Sequence, residues 1–301
     1  MKTSGGGHQR VLAMAGLVFA VLFWAVNAVV AKGITDHIPP MALSFYRWAA
    51  ALILLFPFAY KGLRREKKVI REHLWILFWL SLPSVAIYNS FLYLAALYTT
   101  ATNISLVVAA MPAMTLAAAW FITKDRPRPV QVTGISLALL GVITIVAKGA
   151  PSTIYHLDLN PGDLLMVGSI GSWAVYSIYY KKLALPISPI PFLFMTMVLG
   201  TLLILPFYLW ELSITGGFEV TRSMVVVFIY LGICPSVLSY IFWNHGVKVL
   251  GASTASIFVY LIPVFASAIA YFYLGEQLFF YHVLGGVFIL AGLIFSSWES
   301  G

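Results

Sequence analysis

The chain has 301 residues, 61% hydrophobic and 9% charged, with 18 Lys and Arg against 10 Asp and Glu and a net charge of +8. Soluble domains carry roughly 45–50% apolar and 25% charged residues, so this composition excludes a soluble fold and describes an integral membrane protein. The bases fall in short loops rather than on a basic–aromatic surface, which excludes nucleic acid as a partner.

Apolar stretches bounded by charges, Pro or Gly predict ten spanning helices, each needing about 20 apolar residues. The first, 11–32, follows Lys2 and Arg10, has no small-residue cleavage site and is too long for a signal peptide, so it is expected to be retained. It carries Trp24 and Asn27, whose i,i+3 spacing puts them on one face. The second, 40–60, follows Pro39–Pro40 and contains Arg47, the one Lys or Arg well inside a span. From His73 to Thr123 there is no Asp, Glu, Lys or Arg in 51 residues, so two helices, 74–97 and 101–122, must turn near Thr99 and Thr100. Tyr88 and Asn89 lie on the third helix and Met111 on the fourth. The fifth, 130–148, ends at a linker over 149–161; the only other long loop is 61–73. Helix 162–181 brings Trp173 and Tyr176, again at i,i+3. Helix 189–210 is followed by 223–248 with Ser239, Tyr240 and His245, then 252–273 with Phe258, and finally 279–297. The single cysteine, Cys234, excludes a disulfide within the chain and reads as a small packing residue.

The basic residues set orientation. With the N-terminus inside, fourteen bases fall on one side (Lys2, Arg10, Lys61, Arg64, Arg65, Lys67, Lys68, Arg71, Lys124, Arg126, Arg128, Lys181, Lys182 and Lys248). Only Lys32, Lys148 and Arg222 fall on the other, so both termini are expected in the cytoplasm. Residues 101–143 and 252–294 are also two copies of one pattern, 151 positions apart, with twelve identities that include Pro112/Pro263, Gly134/Gly285 and Gly141/Gly292. Upstream, Trp24/Trp173 and Pro57/Pro206 match at an offset of 149. Five helices is an odd number, so halves 1–150 and 151–301 are expected to be inverted relative to each other, as in many transporters. The fold class expected is all-α, ten transmembrane helices in two inverted five-helix repeats. The paired prolines predict kinks, and Gly134-x6-Gly141 with Gly285-x6-Gly292 predict close helix contacts.

The segments Tyr93–Pro112, Asn244–Pro263 and Leu274–Gly292, with Arg47 after Pro39–Pro40, resemble the paired signature of EamA-type proteins of the drug/metabolite transporter superfamily. The resemblance runs over about 11–297 and departs at one point, where Lys124–Asp125 in the first copy stands against Gly275–Glu276 in the second. It implies an exporter in a bacterial inner (plasma) membrane, with a central cavity lined by helices 1, 3, 4, 6, 8 and 9. The mid-depth residues on those helices then become candidates for substrate contact: Trp24, Asn27, Tyr88, Asn89, Met111, Trp173, Tyr176, Ser239, Tyr240 and Phe258. The aromatic content is similar to that of the superfamily's aromatic amino acid exporters, and a cavity of aromatics with a few amides suits a neutral or zwitterionic solute. Aromatics also fill helix contacts and interfacial belts, and buried amides bridge helices.

Arg47 has two readings: a bidentate partner for a substrate carboxylate, or a structural bond to helix-end carbonyls. His245 is read either as a boundary histidine or as a proton relay. No Asp or Glu lies deep in a predicted span, which disfavours a carboxylate-based ion-coupling site. No P-loop or metal-ligand spacing is present, so no cofactor and no metal are expected. The expectation is therefore an exporter of neutral amino acids or related metabolites working by alternating access, as a monomer in the lipid bilayer. A broad drug or nucleotide-sugar carrier is the alternative within transport. A lipid-modifying enzyme would need clustered His, Asp or Glu, whereas the six histidines are scattered.

Overall fold

The structure, a computed structural model, describes residues 4–34, 38–99, 104, 107–147, 150, 152, 160–274 and 279–297. All regular structure in these residues is helical: α1 Ser4–Ile34, α2 Pro40–Arg65, α3 Lys67–Glu72, α4 Leu74–Ser81, α5 Tyr88–Ala95, α6 Met111–Thr123 and α7 Pro129–Val146. The chain continues with α8 Pro161–Leu183, α9 Pro189–Thr215, α10 Arg222–Leu231, α11 Ser239–Leu250, α12 Ala252–Ile257, α13 Leu261–Leu274 and α14 Phe280–Ser297. Six described stretches are long and apolar enough to cross a membrane: Gly7–Asn27, Pro40–Arg65, Leu74–Ala95, Pro129–Val146, Pro189–Thr215 and Arg222–Leu250. Met111–Thr123, Ala252–Ala266 and Phe280–Phe295 are shorter apolar helices. The first turn of the fourth expected helix, most of the 149–161 linker, and the Gly275–Glu276 pair lie outside the described residues.

Several helices begin where the sequence offers a proline without an N–H to waste, at Pro40, Pro129, Pro161 and Pro189. At α8, Asn160 Oδ1 accepts from Gly162 N (2.8 Å) and Asp163 Oδ2 accepts from Asn160 N (2.9 Å), a reciprocal cap. Gly251, at φ +93°, ends α11 and turns the chain directly into α12. The expected loop 61–73 is instead helical. α2 runs on to Arg65 and α3 fills most of the rest, because this Lys-, Arg- and Glu-rich stretch is made of strong helix formers.

Prolines mark the irregular places. Leu82–Ile87 and Gly232–Leu238 are π-helical, and each contains a Pro-Ser pair, Pro83–Ser84 and Pro235–Ser236. Ser84 Oγ donates to Leu80 O and Ser236 Oγ to Leu231 O, both at 2.6 Å, so hydroxyls take up carbonyls near each break. Pro112 and Pro263 are each preceded by a tightened turn, with Ala110 N donating to Val107 O and Leu261 N to Phe258 O. These two bonds occupy equivalent repeat positions, 151 apart. Pro57 and Pro206 lie inside α2 and α9.

Two antiparallel pairs brace the bundle. In α7 and α14, a Cβ on Gly141 would come within 2.5 Å of Gly285 O, one on Gly285 within 2.6 Å of Gly141 O, and one on Gly292 within 2.5 Å of Gly134 O. The glycines let the two backbones touch. In α2 and α9, each helix supplies a carboxylate to the start of the other. Glu211 accepts from Met41 N (3.0 Å) and Ala42 N (2.7 Å). At the far end Glu66 accepts from the Ser188 backbone N–H (2.8 Å) and hydroxyl. Each carboxylate thus meets the positive end of a helix.

Candidate substrate site and access cleft

Arg47, on α2, is 1% exposed, and no carboxylate is among its hydrogen-bond partners. Its Nε donates to Ser236 Oγ (2.7 Å), Nη1 to Asn89 Oδ1 (2.7 Å) and Tyr93 OH (3.0 Å), and Nη2 to Pro235 O (3.0 Å). Its guanidinium carbon lies 5.1 Å from the Trp48 ring centroid. Asn89 Nδ2 donates to Tyr240 OH (3.4 Å), and Tyr240 OH donates to Ser84 O (2.6 Å). One cation therefore ties together both π-helical segments. A buried unpaired charge costs several kcal/mol, and the planar fork of arginine suits four fixed acceptors better than a lysine would.

Beside this knot lies an aromatic cluster centred on Trp173 of α8, itself 1% exposed. Its ring centroid is 4.8 Å from Tyr88, 5.0 Å from Tyr240, 5.4 Å from Trp24, 5.4 Å from Tyr176 and 5.5 Å from Trp243. Tyr240 in turn stands 5.3 Å from Trp48. Trp24 Nε1 donates to Pro235 O (3.1 Å), the same carbonyl that Arg47 uses. The contacts therefore close a circuit running Pro235, Trp24, Trp173, Tyr240, Trp48, Arg47. Trp243 Nε1 donates to Ser177 Oγ (3.0 Å), and Tyr176 OH to Asn244 Oδ1 (2.7 Å). Trp48 Nε1, Trp173 Nε1 and Asn27 Oδ1 are buried without a hydrogen-bond partner among the described residues.

Of the residues predicted from sequence, Trp24, Tyr88, Trp173, Tyr176 and Tyr240 meet in this cluster, and Arg47 and Asn89 form the adjoining knot. Asn27 lies one turn along α1 from Trp24. Ser239 turns elsewhere: its hydroxyl donates to Ala20 O (3.2 Å) and Cys234 O (2.9 Å), bracing α1 against the second π-segment. Met111 and Phe258 are buried in the same apolar core at the two tightened turns. His245 is exposed on α11. Sequence reasoning missed Trp48, Tyr93, Trp243 and Asn244. Two of these carry a visible signal, since Tyr93 follows Asn89 by four and Trp243 follows Tyr240 by three, each on one helix face.

The residues of the cluster pack against one another. A cleft of about 840 Å³ opens at the end of the bundle that carries Arg10, Arg126, Arg128, Lys181 and Lys182, and among the described residues Asp125 is the one acid on its wall. Leu116 and Ile178 line it as well, but none of the sequence-predicted residues does. A second cavity, of about 290 Å³, lies at the opposite end among Tyr46, Tyr208, Glu211 and Phe218. At the basic end, burial raises the Glu66 carboxyl pKa, but hydrogen bonds from Arg65 and Ser188 and the charge of Arg65 outweigh it, and the net shift is downward. Among the described residues no group of three or more His, Cys, Asp or Glu is placed to hold a metal ion.

Long apolar helices broken by π-turns around a buried polar and aromatic centre define a multi-pass membrane protein. The EamA-like transporter family model matches residues 11–147 and again 160–298, and the chain belongs to that family. It is thus a transporter, not an enzyme, of the inner (plasma) membrane, with a small-molecule substrate. It is similar to an uncharacterized transporter of Archaeoglobus fulgidus, 28% identical over 92% of this chain and 94% of that one. It is also similar to a probable amino-acid metabolite efflux pump of Salmonella typhimurium, 28% identical over 92% and 91% of the two chains. The uncharacterized transporter YyaM of Bacillus subtilis is 25% identical over 92% and 90%. A solved crystal structure superposes with a TM-score of 0.76 at 18% identity, covering 96% of this chain and 97% of the other, a likeness of fold.

Proposed function

We propose that the protein exports amino acids, aromatic and other neutral ones or related metabolites, as a monomer working by alternating access. In this reading ten spanning helices form two inverted five-helix halves, 1–150 and 151–301, with both termini in the cytoplasm. The observation that carries it is the Trp173 cluster, a buried aromatic centre assembled from five of the predicted substrate-contact residues. Support also comes from the relative described as a probable amino-acid metabolite efflux pump, and from an aromatic content similar to that of the exporter YddG. Candidate contacts are Trp24, Asn27, Tyr88, Met111, Trp173, Tyr176, Tyr240 and Phe258. Arg47, Asn89 and Ser239 are assigned positioning roles, because their polar atoms are directed to protein partners.

Transport without a carboxylate-based coupling site is part of the proposal. Among the described residues the buried charged side chains are Arg47 and Asp163, and Asp163 is engaged in capping α8 and in accepting from Thr99 Oγ1 (2.5 Å). Counterflow in proteoliposomes with labelled amino acids and cationic drugs tests the assignment: exchange of aromatic amino acids is expected, and exchange of none would overturn it. Uphill flux driven by a pH gradient alone would refute the uncoupled mechanism. One observation favours a second reading, a nucleotide-sugar or other anionic metabolite carrier: among the described residues the basic-end cleft is lined by five bases and one acid, which concentrates anions. Inhibition of counterflow by nucleotide sugars, but not by amino acids, would select it.

A further inference from the structure

Four tryptophans stand in or beside the aromatic centre, and they divide into two kinds. Trp24 and Trp243 have their indole N–H bonded to Pro235 O and Ser177 Oγ. Trp48 and Trp173, 0% and 1% exposed, have none, although both touch Tyr240. A buried donor left without a partner costs about as much as a hydrogen bond is worth, and native interiors keep few of them. Among the described residues a third buried atom lacks a partner and is of opposite kind: Asn27 Oδ1 is an acceptor, on the same face of α1 as Trp24. No sequence argument required the three to coincide, yet all are on helices that supply the circuit around Trp173 and Tyr240.

We infer that these atoms are the polar contacts of the substrate site, which the solute enters when the packed rings part during the transport cycle. The indole N–H groups of Trp173 and Trp48 receive a carboxylate, the carboxamide oxygen of Asn27 receives an ammonium, and the rings hold an apolar side chain, so the solute is a zwitterionic α-amino acid. Arg47 lies over Trp48 and makes that end electropositive while its own donors stay on protein acceptors. The donor end therefore suits an anion and repels an amine. The inference rests on the amino acid exporter reading and adds to it which atoms read which charge.

The test compares L-phenylalanine with phenethylamine, which lacks the carboxylate, and phenylpyruvate, which lacks the ammonium, in counterflow by the full chain in proteoliposomes. Wild type is expected to favour phenylalanine over each analogue by about tenfold or more, the loss associated with one charge-assisted hydrogen bond. Trp173→Phe keeps a ring and removes the N–H, so the preference over phenethylamine falls about tenfold while the preference over phenylpyruvate persists. Asn27→Leu does the reverse, and Trp48→Phe follows Trp173→Phe. W173F loses no protein hydrogen bond, so its fall in melting temperature in detergent should be only the modest one set by the cavity the smaller ring leaves. If W173F fails to fold, W48F against N27L supplies the same contrast. If wild type exchanges phenylalanine but the variants change all three solutes by one factor, the inference fails and the exporter reading stands. No amino acid exchange by wild type overturns both.

Discussion

The Arg47 knot and the Trp173 cluster are neighbours built from the same helices, yet they treat polar atoms in opposite ways. In the knot every acceptor is used: Ser236, Asn89, Tyr93 and the Pro235 carbonyl all receive from one guanidinium. In the cluster two indole donors and one amide acceptor are buried without partners. Saturated polar networks hold a unique packing, whereas incomplete ones carry a free-energy cost that only a ligand or a change of conformation relieves. The contrast separates a fixed joint from a working site within a few ångströms.

The largest expected effect comes from breaking the joint. Arg47→Leu strips four acceptors of their donor and should cost about 3–5 kcal/mol, seen as poor yield and a steep fall in melting temperature in detergent. Asn89→Leu leaves a buried guanidinium N–H unpaired and also frees Tyr240, for about 2–3 kcal/mol by the same measurement. Tyr176→Phe removes a single neutral bond to Asn244 and should cost about 1 kcal/mol. Trp173→Phe loses no protein hydrogen bond but leaves a cavity where the larger ring was, and should cost about 1 kcal/mol while altering transport selectivity. A large stability loss in W173F, or a small one in R47L, would erase the distinction between joint and site.

The smallest effect lies outside the spans, at the Glu66 clamp on α9. Its folded-state pKa is depressed, so its contribution is fully present above the ordinary value of 4.5 and is lost as the pH falls through the lower folded value. The melting-temperature difference between wild type and Glu66→Gln should therefore be constant at neutral pH and vanish in acid. A difference that instead disappeared between pH 7 and 6 would assign the clamp to another group.

Much of the helical plan was legible in the chain because the bilayer imposes one length scale and one composition on every span. The paired prolines were legible too, since a missing N–H acts locally, and the glycines of α7 and α14 announced their contact by repetition at seven-residue intervals. The candidate site was legible only in part. Trp24, Trp173 and Tyr240 stood out as large or polar residues at mid-depth, but Trp48 and Trp243 looked the same as interfacial aromatics such as Trp75 and Trp210, which are exposed. Ser239 carried the same signal as a cavity residue and is spent on the backbone of α1.

Arg47 shows where the boundary falls. That an arginine seven residues past Pro40 needs several acceptors follows from its charge and from the low dielectric of a span, and the sequence alone determines it. Which acceptors it finds depends on how α2 meets two π-segments separated by about 150 residues of chain, one of them reached through Asn89 and Tyr240. The same holds for the orphaned indoles. The sequence marked Trp173 as a mid-depth aromatic, but only the tertiary structure decided which tryptophans were buried and which N–H groups met an acceptor, because hydrogen bonding is directional and short-ranged.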